Sequence, residues 1–153
     1  MLLQAAVSRG PAFAALTLAD TGHLELLLSR EIISELSDVL FRPAVRQKFP
    51  ILTDEYVNAF IDRLERMGSR IDPVPARFHY PRDPDDEPYL NLAIHGDAEY
   101  LITRDRNLLD LATPASAEAR DFRQRCPRLR ILDPVELNCS VLSSPNWNEH
   151  PIR

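Results

Sequence analysis

The chain is poor in the residues that mark several large protein classes. Only two cysteines occur in 153 residues, Cys126 and Cys139, and they have no metal-type spacing. The four glycines never fall at phosphate-loop spacing, which excludes a glycine-cradled nucleotide site. Lysine occurs once, at Lys48, so arginine carries nearly all the positive charge. No apolar run approaches the roughly eighteen residues that a bilayer span requires. Met1-Leu2-Leu3-Gln4-Ala5-Ala6-Val7 lacks the basic start and long apolar core of a signal peptide. With so few cysteines, the expected compartment is a reducing cytoplasm. The net charge of -5 argues against a nonspecific nucleic-acid coat, though acidic catalytic residues and local arginine patches can coexist in a nuclease.

What is abundant is acid, and it is concentrated. In Arg82-Asp83-Pro84-Asp85-Asp86-Glu87-Pro88, four carboxylates occupy five positions, and about twenty residues later comes Thr103-Arg104-Asp105-Arg106-Asn107. Each like-charge neighbour raises the cost of ionising the next. A hard divalent cation removes that cost, because carboxylate oxygens and water are its natural ligands. An EF-hand does not fit, since the acidic loop lacks the glycine at position six and the bidentate glutamate at position twelve. Arg120, Arg123, Arg125, Arg128 and Arg130 cluster near the C-terminal end. They read either as a solvated surface or as a phosphate-gripping patch, since the guanidinium fork matches phosphate oxygens.

A composition of 44% hydrophobic and 27% charged residues over this length suits one globular domain. Helices are expected at Pro11 to Ala19, at Arg30 to Phe41 behind a Ser29 cap, and after Thr53 with the stripe Val57, Phe60, Ile61, Leu64 and Met67. Gly68 is placed to stop the last of these, and Arg42-Pro43 the one before it. The acidic segment opens a further helix, with Pro88 in its first turn and Gly96 at its end. Strands are expected at His23 to Leu28, Ile71 to Val74, Tyr100 to Thr103 and Arg128 to Leu132. Residues Ala112 to Pro127 read as a loop or irregular helix, and Asp133-Pro134-Val135-Glu136 as a capping box. Strands alternating with helices indicate an α/β fold with a mostly parallel central sheet flanked by helices. The domain is expected over residues 1–137, with a loose polar tail over 138–153 that contains Trp147.

Lengths bring the acids together. A helix from Asp86 to Gly96 runs about 15 Å, and Tyr100 to Asp105 runs back about 17 Å. Asp86 and Asp105 therefore return to one end of the sheet, beyond the carboxyl ends of its strands, where ligands bind in open α/β folds. Glu35, one and a half turns into the Ser29-capped helix, leans back toward the same end from the edge of an apolar stripe. Each acid also has a structural reading. Asp86 and Asp105 suit helix N-caps, Asp83 and Asp85 suit the turn around Pro84, and Glu35 suits an arginine partner.

Leu28-Ser29-Arg30-Glu31-Ile32-Ile33-Ser34-Glu35-Leu36, Arg82-Asp83-Pro84-Asp85-Asp86 and Leu101-Ile102-Thr103-Arg104-Asp105-Arg106-Asn107-Leu108-Leu109 together resemble a PIN domain. More narrowly they resemble the bacterial VapC-like toxin components of toxin-antitoxin systems. The resemblance implies a three-layer α/β fold and a ribonuclease dependent on Mg2+ or Mn2+. It implies Glu35, Asp86 and Asp105 as catalytic and metal-holding acids, with Thr103, Asn107 and Asp83 in support. It further implies an RNA substrate, a cognate antitoxin protein, homodimers as a common assembly, and no membrane. The family opens with a strand ending in Asp-Thr-Asn, whose Asp is the first acid of the cluster, and Met1 to Ser8 resemble the residues directly after that turn. Two accounts stand: a native start upstream of Met1, or a truncated and catalytically weakened relative. The alternative function is a non-catalytic PIN-like module that binds RNA or protein.

Overall fold

The computed structural model describes residues 1–142, so the stretch beyond Leu142, including Trp147, lies outside the described residues. Helices α1 (Leu2–Val7) and α2 (Pro11–Asp20) lead into strand β1 (Leu26–Leu28). Then come α3 (Arg30–Phe41), α4 (Pro43–Lys48), α5 (Asp54–Met67) and β2 (Gly68–Arg70). A 3-10 turn at Pro84–Asp86 opens α6 (Glu87–His95), followed by β3 (Tyr100–Ile102), α7 (Arg106–Asp110), α8 (Ala117–Arg125), β4 (Arg130–Leu132) and α9 (Pro134–Leu142). This is the expected α/β arrangement of helices around parallel strands. Among the described residues, no helix is long and apolar enough to cross a membrane.

The helix starts follow from side-chain chemistry. Ser29 Oγ accepts from the Ile32 amide, Thr53 Oγ1 from Tyr56 and Ser116 Oγ from Ala119, each satisfying a first-turn donor that lacks a backbone partner. The Asp133 carboxylate accepts from the Val135 and Glu136 amides, while Glu136 Oε2 accepts from the Asp133 amide, so the capping box forms in both directions. The helix it opens runs through Leu142, into the stretch read from sequence as tail. Two further differences have local causes. Pro43 ends α3 but also occupies the first turn of α4, where a missing amide costs nothing. Residues 112–127 contain a regular helix, α8, because Ser116 supplies a cap and Ala119 and Phe122 a buried face.

The strands pair in two separate parallel ladders. Leu26, Leu27 and Leu28 face Gly68, Ser69 and Arg70, and Tyr100, Leu101 and Ile102 face Arg130, Ile131 and Leu132. The second strand thus begins at Gly68, three residues before the expected Ile71. Gly68 does end α5, but in extended rather than left-handed backbone (φ -94°, ψ 148°). Glycine is needed there for proximity, since a Cβ would stand 2.5 Å from Leu28 Cδ1. Among the described residues β1 and β3 do not pair with each other. Both line one cavity of about 680 Å³.

Each ladder has its own core. Leu40, Val57 and Leu64, all fully buried, centre the first, between α3 and α5. Phe78, Tyr80, Leu90, Phe122 and Ile131 build the second, with Phe78 edge-on to Phe122 at 5.3 Å between centroids. Helix α6 packs against both α3 and β1 and so spans the two.

Candidate metal centre

The chain reaches the acidic loop through a segment, residues 71–83, with no helix or strand of its own, and side chains hold it in place. Asn91, 4% exposed on α6, accepts from the Arg77 and Phe78 amides and donates to the Phe78 and Glu87 carbonyls. All the hydrogen-bonding capacity of one buried amide is thereby spent on fixing backbone. Glu87 Oε1 accepts from the Tyr80 amide, and the Tyr80 hydroxyl donates to the Asn107 carbonyl at 2.8 Å. The acidic loop is therefore tied to the turn after β3 before Asp83, Asp86 or Asp105 is considered.

That turn is fixed as closely. Thr103, 8% exposed, accepts from the Asp105 amide at 3.0 Å. Asp105 Oδ1 accepts from the Asn107 amide at 2.7 Å and caps α7. Asn107 Nδ2 donates to Asp83 Oδ2 at 3.1 Å, joining the two acidic segments directly.

Asp83, Asp86 and Asp105 each bring a carboxylate oxygen to a common point, all within 4.8 Å of one another. Oxygens on opposite sides of a Mg2+ ion lie about 4.2 Å apart, twice the metal–oxygen distance. The structural readings fare differently for each acid. Asp105 is a cap, and its other oxygen remains to be used. Asp86 stands at the N-cap position of α6 but makes no side-chain cap bond. Its Oδ2 is instead buried without a hydrogen-bond partner. A buried acceptor left in that state costs about 1–3 kcal/mol.

Asp86 also feels the charge around it. Its pKa is pushed up from 3.8 to about 6, first by burial and then by repulsion from Asp105, Asp83, Glu35 and Asp85. An orphaned buried oxygen, a destabilised anion and an all-oxygen donor set are the features a hard divalent cation would satisfy. The residues present therefore fit such an ion.

The structure places Asp83 inside the trio, closer than the supporting position assigned to it from the sequence. Glu35 stands beside the trio rather than within it. It accepts from the Tyr89 hydroxyl at 2.8 Å, and among the described residues no arginine forms a salt bridge with it. Sequence reasoning missed Tyr89 as its partner, although its place three residues after Asp86 at the start of α6 puts it on the same side of the helix. Met1 lines the same cavity, and burial lowers the pKa of its ammonium from 8.0, with Arg104 adding to the effect and Asp105 opposing it.

The arginine cluster divides. Arg123 donates to the Leu129 and Pro127 carbonyls, Arg125 pairs with Asp121 at 2.9 Å, and Arg130 lies over the Tyr100 ring. Arg120 and Arg128 are exposed.

A family model described as the PIN domain matches residues 1–107, which include all three clustered acids as well as Glu35 and Tyr89. Neither the curated proteins nor the solved structures yield a match to the chain.

Proposed function

The chain belongs to the PIN-domain family, whose members have nuclease-type function in general, and we propose that it is a divalent-metal-dependent endoribonuclease. The observation that carries the proposal is the unpartnered, buried Asp86 Oδ2 within a cluster of three carboxylates. Asp83, Asp86 and Asp105 would hold Mg2+ or Mn2+. When bound, the ion lowers the pKa of water and offsets charge on the scissile phosphate. Glu35, outside the trio and held by Tyr89, accepts the proton of the attacking water. Thr103 and Asn107 keep the Asp105 turn and Asp83 in register, so that ligand positions are set before the ion arrives.

The narrower reading is the toxin half of a toxin-antitoxin pair. It rests on the resemblance of the segments around Glu35, Asp86 and Asp105 to that bacterial branch. Its signature is growth arrest on expression, relieved by a cognate antitoxin encoded beside it.

The test is cleavage of single-stranded RNA with Mn2+ and with chelator, for the wild-type chain and for Asp86→Asn and Asp105→Asn. Cleavage that needs the metal and is lost in both variants supports the assignment. Metal-dependent cleavage that survives both substitutions overturns it. Absence of cleavage at every metal concentration leaves the non-catalytic binding module in its place.

A further inference from the structure

Glu35 and the acidic trio belong to different parts of the chain: α3 carries the one, and the segments just before α6 and just after β3 carry the other. The trio is tied to its own half by Asn91, Tyr80, Asn107 and Thr103. Glu35 is exposed on α3, anchored through the first core, and repels Asp86. An exposed glutamate with three rotatable bonds samples many rotamers unless something selects one. Tyr89 does so. It is half-buried on α6, and its hydroxyl crosses to α3 to donate to Glu35 Oε2 at 2.8 Å.

The chemistry of that contact is one-directional. Burial first, then the hydrogen bond to Glu35 and the charges of Glu35, Asp86 and Glu31, push the Tyr89 pKa well above its ordinary 10.0. The phenol is therefore held in its protonated, donating form. A donor to one carboxylate oxygen occupies that oxygen and leaves the second to accept a proton.

We propose that Tyr89 is a positioning residue for the nuclease reaction, holding the Glu35 carboxylate in one orientation beside the Asp83, Asp86 and Asp105 centre. This rests on the nuclease reading of the site. Tyr89 touches neither the metal ligands' common point nor, on this proposal, the reacting atoms. It acts through Glu35. It therefore governs turnover and leaves metal affinity alone.

The experiment is a double-substitution cycle in the full chain, Tyr89→Phe against Glu35→Gln, read by RNA cleavage in Mn2+ and by a Mn2+ binding isotherm without RNA. Tyr89→Phe removes one oxygen and keeps the ring. The expected result is a fall in kcat of roughly 10-fold with KM changed by less than about twofold, for an oriented general-base group. In the Glu35→Gln background the same substitution is nearly silent, because the interaction is already gone. Mn2+ affinity in Tyr89→Phe stays within about twofold of wild type, whereas Asp86→Asn loses binding. Equal effects of Tyr89→Phe in both backgrounds overturn the proposal, since the hydroxyl then acts independently of Glu35. A rise in KM alone, or weakened Mn2+ binding, overturns it as well. A wild-type chain that neither binds Mn2+ nor cleaves RNA sinks the nuclease reading first and this proposal with it.

Discussion

Residues 1–70 and residues 77–142 each set helices around one short parallel ladder, yet they are stabilised differently and hold the acids unequally. The first region rests on two long amphipathic helices, α3 and α5, whose apolar faces meet at Leu40, Val57 and Leu64. It contributes one acid, Glu35. The second has shorter elements, an aromatic core and a set of polar staples: Asn91, Tyr80, Thr103 and Asn107. It contributes all three clustered carboxylates. Like charges are held together where side chains have fixed the backbone. Dispersion and burial are non-directional and fill space, whereas hydrogen bonds set positions.

The contrast can be broken most forcefully at its acidic end. Asp86→Asn is expected to reduce metal-dependent RNA cleavage on the order of 1,000-fold, equivalent to about 4 kcal/mol of barrier, measured as kcat/KM. In the first region Leu64→Ala should cost about 3 kcal/mol of stability by opening a cavity in a fully packed site, seen as a lower denaturation midpoint in urea. If the two cores are independent, amide exchange will accelerate in α3 and α5 but not in α6. Acceleration throughout would show one cooperative unit.

Glu35→Gln tests what the first region gives the site. The expected loss is roughly 100-fold in kcat with Mn2+ binding kept, the pattern of a proton acceptor outside the ligand set. Loss of Mn2+ binding would instead make Glu35 a ligand. Asn91→Ala should cost about 2 kcal/mol, because the Phe78 amide loses its acceptor in a buried position and the Arg77 amide in a part-buried one, and the acidic loop should become sensitive to protease.

The smallest effect is electrostatic. Asp86 titrates near 6 in the folded chain against 3.8 ordinarily, so the unfolded chain gives up its proton first as pH rises. Between those values the folded state holds more protons, and stability falls with rising pH, then levels above about 6. Asp86→Asn lacks this loss. The melting-temperature advantage of the variant over wild type should therefore grow from pH 4 to pH 6 and stay level beyond. Mn2+ should shrink it at pH 7.5 by stabilising only the wild type. An advantage that is constant across this range would show that burial and repulsion at Asp86 are weaker than the structure indicates.

Local signals were legible in the sequence wherever the deciding chemistry is local. Ser29, Thr53 and the Asp133–Glu136 box announced their helices because a cap bond joins residues only two or three apart. The return of Asp86 and Asp105 to one end followed from a rise per residue, which needs no knowledge of packing. The second strand begins three residues before the sequence pattern indicates, because its position depends on how closely Gly68 approaches Leu28, a contact forty residues distant. Helix α8 was obscured because its core face is short, and Ala119 and Phe122 gain meaning only against Phe78.

By itself, then, the sequence determined the α/β alternation, the helix starts at Ser29, Thr53 and Asp133, and which acids share an end of the molecule, because these follow from backbone geometry and nearest-neighbour chemistry. Only the tertiary structure decided the roles within that cluster. Asp83 joins the trio through Asn107, Asp86 forgoes its cap and leaves an oxygen buried and unpartnered, and Glu35 stands apart on the hydroxyl of Tyr89. Those outcomes turn on distances of a few ångströms between residues 24 and 54 positions apart. Side-chain direction at that range is fixed by packing, and no local pattern encodes it.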